Sequence, residues 1–268
     1  MRHVVKVVII LAVTTGSALA QQMARTEVFV AFFAKGVVSV SDPTTENLQT
    51  NFTITNPGKS VTGVNFQFFS TDGGLLGLPL QKGPGVVGEP VTTVTNPFEV
   101  PAESSVTVSI AHVGFLQTGW IRITSTQPVT VQQGLNWLFI LYGAAPVLTA
   151  STLASTAVQA SEPIRRVAIA LTEEPGFTSG LAIVAAVDGI SGTLALMDNQ
   201  TGQRVATRQI RVASHNQWLN FAEQLFPELV TVRSGTIVGE FSGDVLVTSI
   251  RMHSASRRLV PNLVTNAR

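Results

Sequence analysis

The sequence contains no cysteine. Disulfides, thiolate metal sites and cysteine nucleophiles are thereby excluded. The fold must be held by burial alone, which favours domains of more than about 100 residues. Charge is scarce as well: Asp, Glu, Lys and Arg make up 12% of 268 residues, as 17 basic and 16 acidic side chains. So even a balance gives no electrostatic footprint for nucleic acid or an anionic membrane surface. One tyrosine and three tryptophans supply a sugar-stacking platform poorly. Helical stretches between strands are missing, which argues against a βαβ arrangement. What is plentiful is apolar surface, 45% of the chain, ample for a core and contrary to disorder.

The first twenty residues have the form of an export signal. Arg2 and Lys6 precede the apolar run Val7 to Val13, and Ala18-Leu19-Ala20 supplies a small-x-small cleavage site. The run is shorter than the roughly 20 residues that span a bilayer. The expectation is a signal peptide over 1–20 and a mature chain from Gln21, secreted or at the cell surface. Losing Arg2 and Lys6 leaves 15 basic against 16 acidic residues, a net charge of about −1.

Strand patterns dominate the rest. Val64, Phe66 and Phe68 alternate with polar residues, as do Val106, Val108 and Ile110, and Val129 and Val131. Turn formers separate such runs, among them Asn56-Pro57-Gly58, Asp72-Gly73-Gly74 and Ser242-Gly243-Asp244. Many short strands with frequent turns predict an all-β protein of sandwich type. One stretch departs from this: Trp218, Phe221, Ala222, Leu225 and Phe226 recur at helical spacing before Pro227, predicting a short capping helix.

The two halves look like diverged copies. Gly119-x-Ile121 and Val129-x-Val131 align with Gly235-x-Ile237 and Val245-x-Val247 at an offset of 116, while Asn51 to Pro57 aligns with Leu181 to Ala185 at a larger offset. The expected organisation is two tandem antiparallel sandwiches, immunoglobulin- or fibronectin-like, over 21–156 and 163–268. A Ser/Thr/Ala-rich connection ending in Glu162-Pro163 separates them.

Several short motifs carry a resemblance. They are Phe32-Phe33-Ala34-Lys35-Gly36, Thr55-Asn56-Pro57, Leu116-Gln117-Thr118-Gly119-Trp120, Gly180-Leu181-Ala182-Ile183 and Leu225-Phe226-Pro227. Together the chain resembles the tandem β-sandwich modules common in secreted proteins of environmental bacteria. It departs from them at Val184-Ala185-Ala186, where the second module usually has an Asn-Pro turn. The resemblance implies fold and location; it brings no catalytic residue, ligand or cofactor.

Constellations with chemical potential are few. Gly83 to Gly88 matches G-x-G-x-x-G, but β-prone sequence beginning at Pro90 follows it, so no helix N-terminus is there to face a phosphate. His112, His215 and His253 are scattered and no G-x-S-x-G accompanies them. Glu173 and Glu174 are adjacent, so in an extended chain they point to opposite sides. Asp42 and Glu46 could offer oxygens to calcium but lack the dense spacing of a dedicated loop. No cofactor or metal site is expected.

Two surfaces stand out. Trp120 and Arg122 fall on the strand face opposite Ile121 and Ile123, where a sugar could stack on the indole. Residues 123–161 lack any charge, and within them Trp137, Leu138, Phe139, Ile140 and Tyr142 form an apolar run interrupted as a span by Gly143 and Pro146. Exposed, that run would mark a partner surface or self-association; buried, it would fill the first sandwich or the contact between halves. The expectation is an exported, non-enzymatic structural or interaction protein, adhesive or envelope-associated, with a protein or glycan partner at the cell surface. The alternatives are a carbohydrate-binding module centred on Trp120 and a self-assembling envelope component.

Overall fold

A computed structural model describes residues 23–41, 44–83, 92–111, 114–141, 149–159, 161–172, 176–230, 232, 234–253, 255–256 and 258–267. The export signal, His112, Asp42, Glu173, Glu174, Tyr142 and most of the glycine-rich run after Gly83 lie outside the described residues. The strands of the first half are β1 (Arg25–Ser41), β2 (Thr44–Asn56), β3 (Thr62–Ser70), β4 (Leu75–Leu76) and β5 (Leu80–Lys82). They continue with β6 (Thr93–Val94), β7 (Phe98–Val100), β8 (Ser104–Ile110), β9 (Gln117–Leu141) and β10 (Thr149–Gln159). The second half has β11 (Ile164–Thr172), β12 (Phe177–Val184), β13 (Ile190–Asp198), β14 (Arg204–Val212) and β15 (Gln217–Phe221). After α1 (Ala222–Leu225) come β16 (Ser234–His253), β17 (Arg258–Pro261) and β18 (Val264–Asn266).

The protein is all-β and sandwich-like: two antiparallel sheets, one from each half. Strands in globular proteins usually run 3–10 residues, yet β9 has 25 and β16 has 20. Each of these long strands changes neighbours midway. The first part of β9 lies between β1 and β3, and its later part between β2 and β10. In β16 the first part lies between β11 and β13, the later part between β12 and β17. Changing partners folds each sheet over a core of its own. The alternating residues that predicted strands, Val64, Phe66, Phe68, Val108 and Ile110, fill the first interior, and Ile169, Leu194, Leu196 and Ile237 fill the second.

Positions of the two long strands have matching partners, each within its own half. Ile121 stands opposite Val30 and Phe68, and Ile237 opposite Ile169 and Leu196, in keeping with the offset of 116. Val131 faces Ile54, whereas Val247 faces Ile183. The pairings set the larger upstream offset at 129. A one-residue slip exchanges the faces of a strand; at 129 Phe52 and Ile54 match Leu181 and Ile183, all four inside a core.

The predicted helix over 218–226 is also corrected. Trp218 and Phe221 belong to strand β15, paired with β12, and α1 is a single turn. Their three-residue spacing sets them on opposite faces of the strand. Trp218 packs on the second core while Phe221 points away from it. The Leu225-Phe226-Pro227 motif after the turn is clamped by Arg208 of β14. Its Nε donates to the carbonyl of Leu225 at 3.0 Å, its Nη2 to Glu228 at 2.9 Å, and its guanidinium sits 5.5 Å from the centre of the buried Phe226 ring.

Candidate functional site

The two halves meet along a seam, and its construction begins with a bulge in β1. Between Val30, opposite Ile121, and Phe33, opposite Gly119, two residues face one. A bulge takes backbone groups out of the ladder, and buried carbonyls left that way are costly. Here two buried glutamines supply donors. Gln217 of the second half donates from Nε2 to the carbonyls of Ala31 (2.5 Å) and Gly119 (3.0 Å). Gln133 donates to the carbonyl of Phe32 at 2.6 Å. One step on, the Thr50 hydroxyl accepts from Ala34 N and donates to Ala34 O.

Trp120 stands opposite this bulge. It is 1% exposed, its ring stacked on Phe69 at 4.1 Å with the planes 7° apart. The indole Nε1 donates to the carbonyl oxygen of His215 at 2.8 Å. A ring enclosed in this way does not offer a face to a sugar. Arg122 turns outward to an exposed pair with Glu27 at 2.6 Å. The structure thus separates Trp120 from Arg122 and gives the tryptophan to the seam.

A turn over residues 70–74 completes this end. The Ser70 hydroxyl donates to the Asp72 carboxylate, and Gly73 sits at φ 84°. Gln217 N donates to Thr71 O at 2.9 Å, and the Asn216 amide, oriented toward the carbonyls, donates to Asp72 O at 2.9 Å. Asp72 is held below its ordinary carboxylate range by the Ser70 hydroxyl first and the Gly74 amide second. His215 faces this turn from a left-handed backbone, φ 62°, with its ring 6.3 Å from Phe69.

Apolar contacts close the seam in two places. Ala31, Phe69 and Trp120 meet Val184 and Leu246; farther along, Ala34, Leu48, Leu135 and Trp137 meet Ile250 and Leu259. The apolar run found in the sequence contributes here. Trp137 and Leu138 are buried, and Trp137 Nε1 donates to Glu46 at 3.0 Å. Phe139 and Ile140 continue β9 in register with Ser151 and Ala150.

Between the two apolar contacts, on the β15 side, lies a groove of about 330 Å³. Phe32, Leu116 and Leu135 of the first half line it, facing Gly180, Ala182 and Leu219 of the second. Among the described residues no group of three His, Asp or Glu could hold a metal ion, and no helix is long and apolar enough to cross a membrane. His253 accepts at Nδ1 from Ser256 N at 2.9 Å and lies against Phe177, in a cluster apart from the seam.

Sequence reasoning named Trp120 but missed Gln217, Gln133, Thr50 and Phe69. For Gln133 a signal was present, because it shares the inward parity of Val131 and Leu135. Gln217 carries none, since its partners lie 186 and 98 residues away. Neither protein-family models, nor curated proteins, nor solved structures give a match to this chain.

Proposed function

We propose that this chain is an exported, non-catalytic structural or interaction protein, in which two tandem immunoglobulin-like sandwiches, related by duplication, act as one stiff unit. The observation that carries this reading is the seam itself. Bead-on-string modules meet through exposed linkers with few contacts. Here the side chain of Gln217 completes the backbone hydrogen bonding of the other half, and Trp120 is capped by Phe69 and tied to His215. Such a joint sets the distance and angle between the surfaces at either end, which is what a spacer or adhesive stalk requires. The signal-like residues 1–20 and the resemblance to secreted sandwich modules support the extracellular setting.

The test is fractionation of the native producer with N-terminal sequencing, joined to NMR relaxation on the mature chain. A chain starting at Gln21 in the envelope or medium, with one correlation time for both halves, is the expected result. Retention in the cytoplasm, or independent tumbling of the halves, overturns the proposal. So does hydrolysis of a glycoside, ester or peptide panel that is lost in His215→Ala.

Self-association is favoured by one observation of its own. The strand β10, eleven residues without a charge, hydrogen-bonds to β9 alone among the described strands and has only the short β17 lying beside it. Proteins usually blunt such edges with charge or proline. A concentration-dependent mass by light scattering, abolished by Ala154→Lys, is expected; a monomer at high concentration removes this reading.

A further inference from the structure

The three-stranded layer β15–β12–β16 is apolar on both faces. Leu181, Ile183, Val245 and Val247 point into the second core. By strand parity Gly180, Ala182 and Val184 with Leu246, Thr248 and Ile250 point the other way, toward the first half. That outer face is covered at Val184 and Leu246 by Trp120 and Phe69, and at Ile250 by Leu135 and Trp137. Over Gly180, which is half-buried, the described residues leave a gap; the groove opens there, with the nearly buried Ala182 at its floor.

Two small residues give the groove its depth, and the fold does not demand the smaller one. A Cβ added to Gly180 would meet only the carbonyl oxygen of Ile250, at 3.6 Å, an ordinary contact. No left-handed φ is present at Gly180, so its backbone suits any residue. At Gly119, by contrast, the same atom would stand 1.9 Å from Phe69 O. One glycine is fixed by packing; the other only leaves room.

The rim is unusually apolar for surface. Leu116 is 46% exposed, and Leu219 and Phe221 are each 37% exposed. Contiguous exposed apolar side chains around a concave site mark a place where something apolar binds. The lining contains no Asp, Glu, Lys, Arg or His. A charged group entering would lose its hydration without compensation, so the occupant is neutral. The walls are mainly aliphatic, from Leu48, Leu135, Ile250 and Met252, which suits a flexible chain better than a planar ring. At roughly 30 Å³ for each water-sized group, 330 Å³ has room for about ten methylenes. Gln224, exposed, and Asn220, half-buried, set amide groups in the same lining for an uncharged polar end.

The geometry points to a binding site for one neutral alkyl chain of about ten carbons with an uncharged polar end, a fatty alcohol or ester taken as a free molecule. The walls contributed by both halves favour a free molecule over a membrane surface, since the deepest positions lie between them. This assignment goes beyond the structural role proposed above and does not depend on export.

The test uses the mature chain from Gln21 and the uncharged fluorophore N-phenyl-1-naphthylamine. Enhanced emission at 1:1 stoichiometry, reversed by 1-decanol, is expected, with decanoate at pH 8 at least tenfold weaker as a competitor. Gly180→Leu fills the groove and should abolish binding. Should that variant not fold, Leu219→Lys alters only the rim and should weaken decanol at least tenfold with an unchanged melting temperature. The proposal is overturned if decanol fails to displace the fluorophore or decanoate competes equally. Wild-type affinity in folded Gly180→Leu or Leu219→Lys overturns it too, as does binding seen only with phosphatidylcholine vesicles.

Discussion

The indole nitrogen of Trp120 donates to the backbone oxygen of His215 across 95 residues of sequence, and both side-chain rings lie near Phe69, at 4.1 and 6.3 Å between ring centres. The bond joins the strand opposite the β1 bulge to the loop that ends in Gln217. It makes Trp120 a fastener between halves.

Trp120→Phe should therefore keep most of the stacking and lose the donor, costing about 1–2 kcal/mol in urea unfolding. Trp120→Ala removes the ring from both Phe69 and Val184 and should cost about 3–5 kcal/mol. Near-equal stability of the two variants would show that the hydrogen bond and the stack do not add in this way.

Gln217 supplies donors to two carbonyls and Gln133 to one, so their replacements should differ in a fixed order. Gln217→Leu leaves Ala31 O and Gly119 O without it, at about 1–3 kcal/mol for each group that finds no other partner. Gln133→Leu deprives only Phe32 O. Equilibrium denaturation should rank Gln217→Leu below Gln133→Leu, and the reverse order would place the critical tie inside the first half.

Gly119 and Gly180 give opposite expectations for the same change. Gly119→Ala drives a Cβ to 1.9 Å from Phe69 O and 2.7 Å from the Phe33 ring, backbone and core that have nowhere to move. A loss above about 3 kcal/mol, or insoluble expression, is expected. Gly180→Ala should be neutral or stabilising by up to about 1 kcal/mol, through the unfolded chain. Thermal melts of the pair decide it.

Arg208 holds Leu225, Phe226 and Glu228 with one planar group. Lysine keeps the charge but cannot donate to a carbonyl and a carboxylate while lying over a ring. Arg208→Lys should cost about 1 kcal/mol, and hydrogen exchange should quicken first at residues 222–230. Unchanged exchange there would mean that the turn is held by burial of Phe226 alone.

Much of the fold was legible because strand parity is a local signal. Val64, Phe66 and Phe68 face inward as their alternation required, and the offset of 116 relates the two long strands through their actual partners. The upstream match carried no register because, although Asn51 to Thr55 alternates strictly, Leu181 to Ala185 is apolar at every position, and only inter-strand pairing fixes which of its faces is inward. Trp218 and Phe221 suggested a helix because a three-residue spacing also fits a strand that is apolar on both faces. The seam was the least legible part. Its glutamines answer to a bulge, and a bulge has no signature in the residues that satisfy it.

The acid response should begin at Asp72. Its carboxylate is held below its ordinary value by Ser70 and Gly74, so the folded state favours the charged form. A depressed folded pKa contributes stability that is complete above the unfolded value, near 4, and is lost as pH falls through the folded one. Protonation releases the Ser70 and Gly74 contacts and loosens the turn that accepts Gln217 N at Thr71 O. In a Trp137→Phe, Trp218→Phe background, emission from Trp120 should shift to the red below about pH 4 before global unfolding. Asp72→Asn keeps an acceptor oxygen without a titrating charge and should remove that early step. A red shift of equal size and midpoint in Asp72→Asn would assign the acid response to another carboxylate.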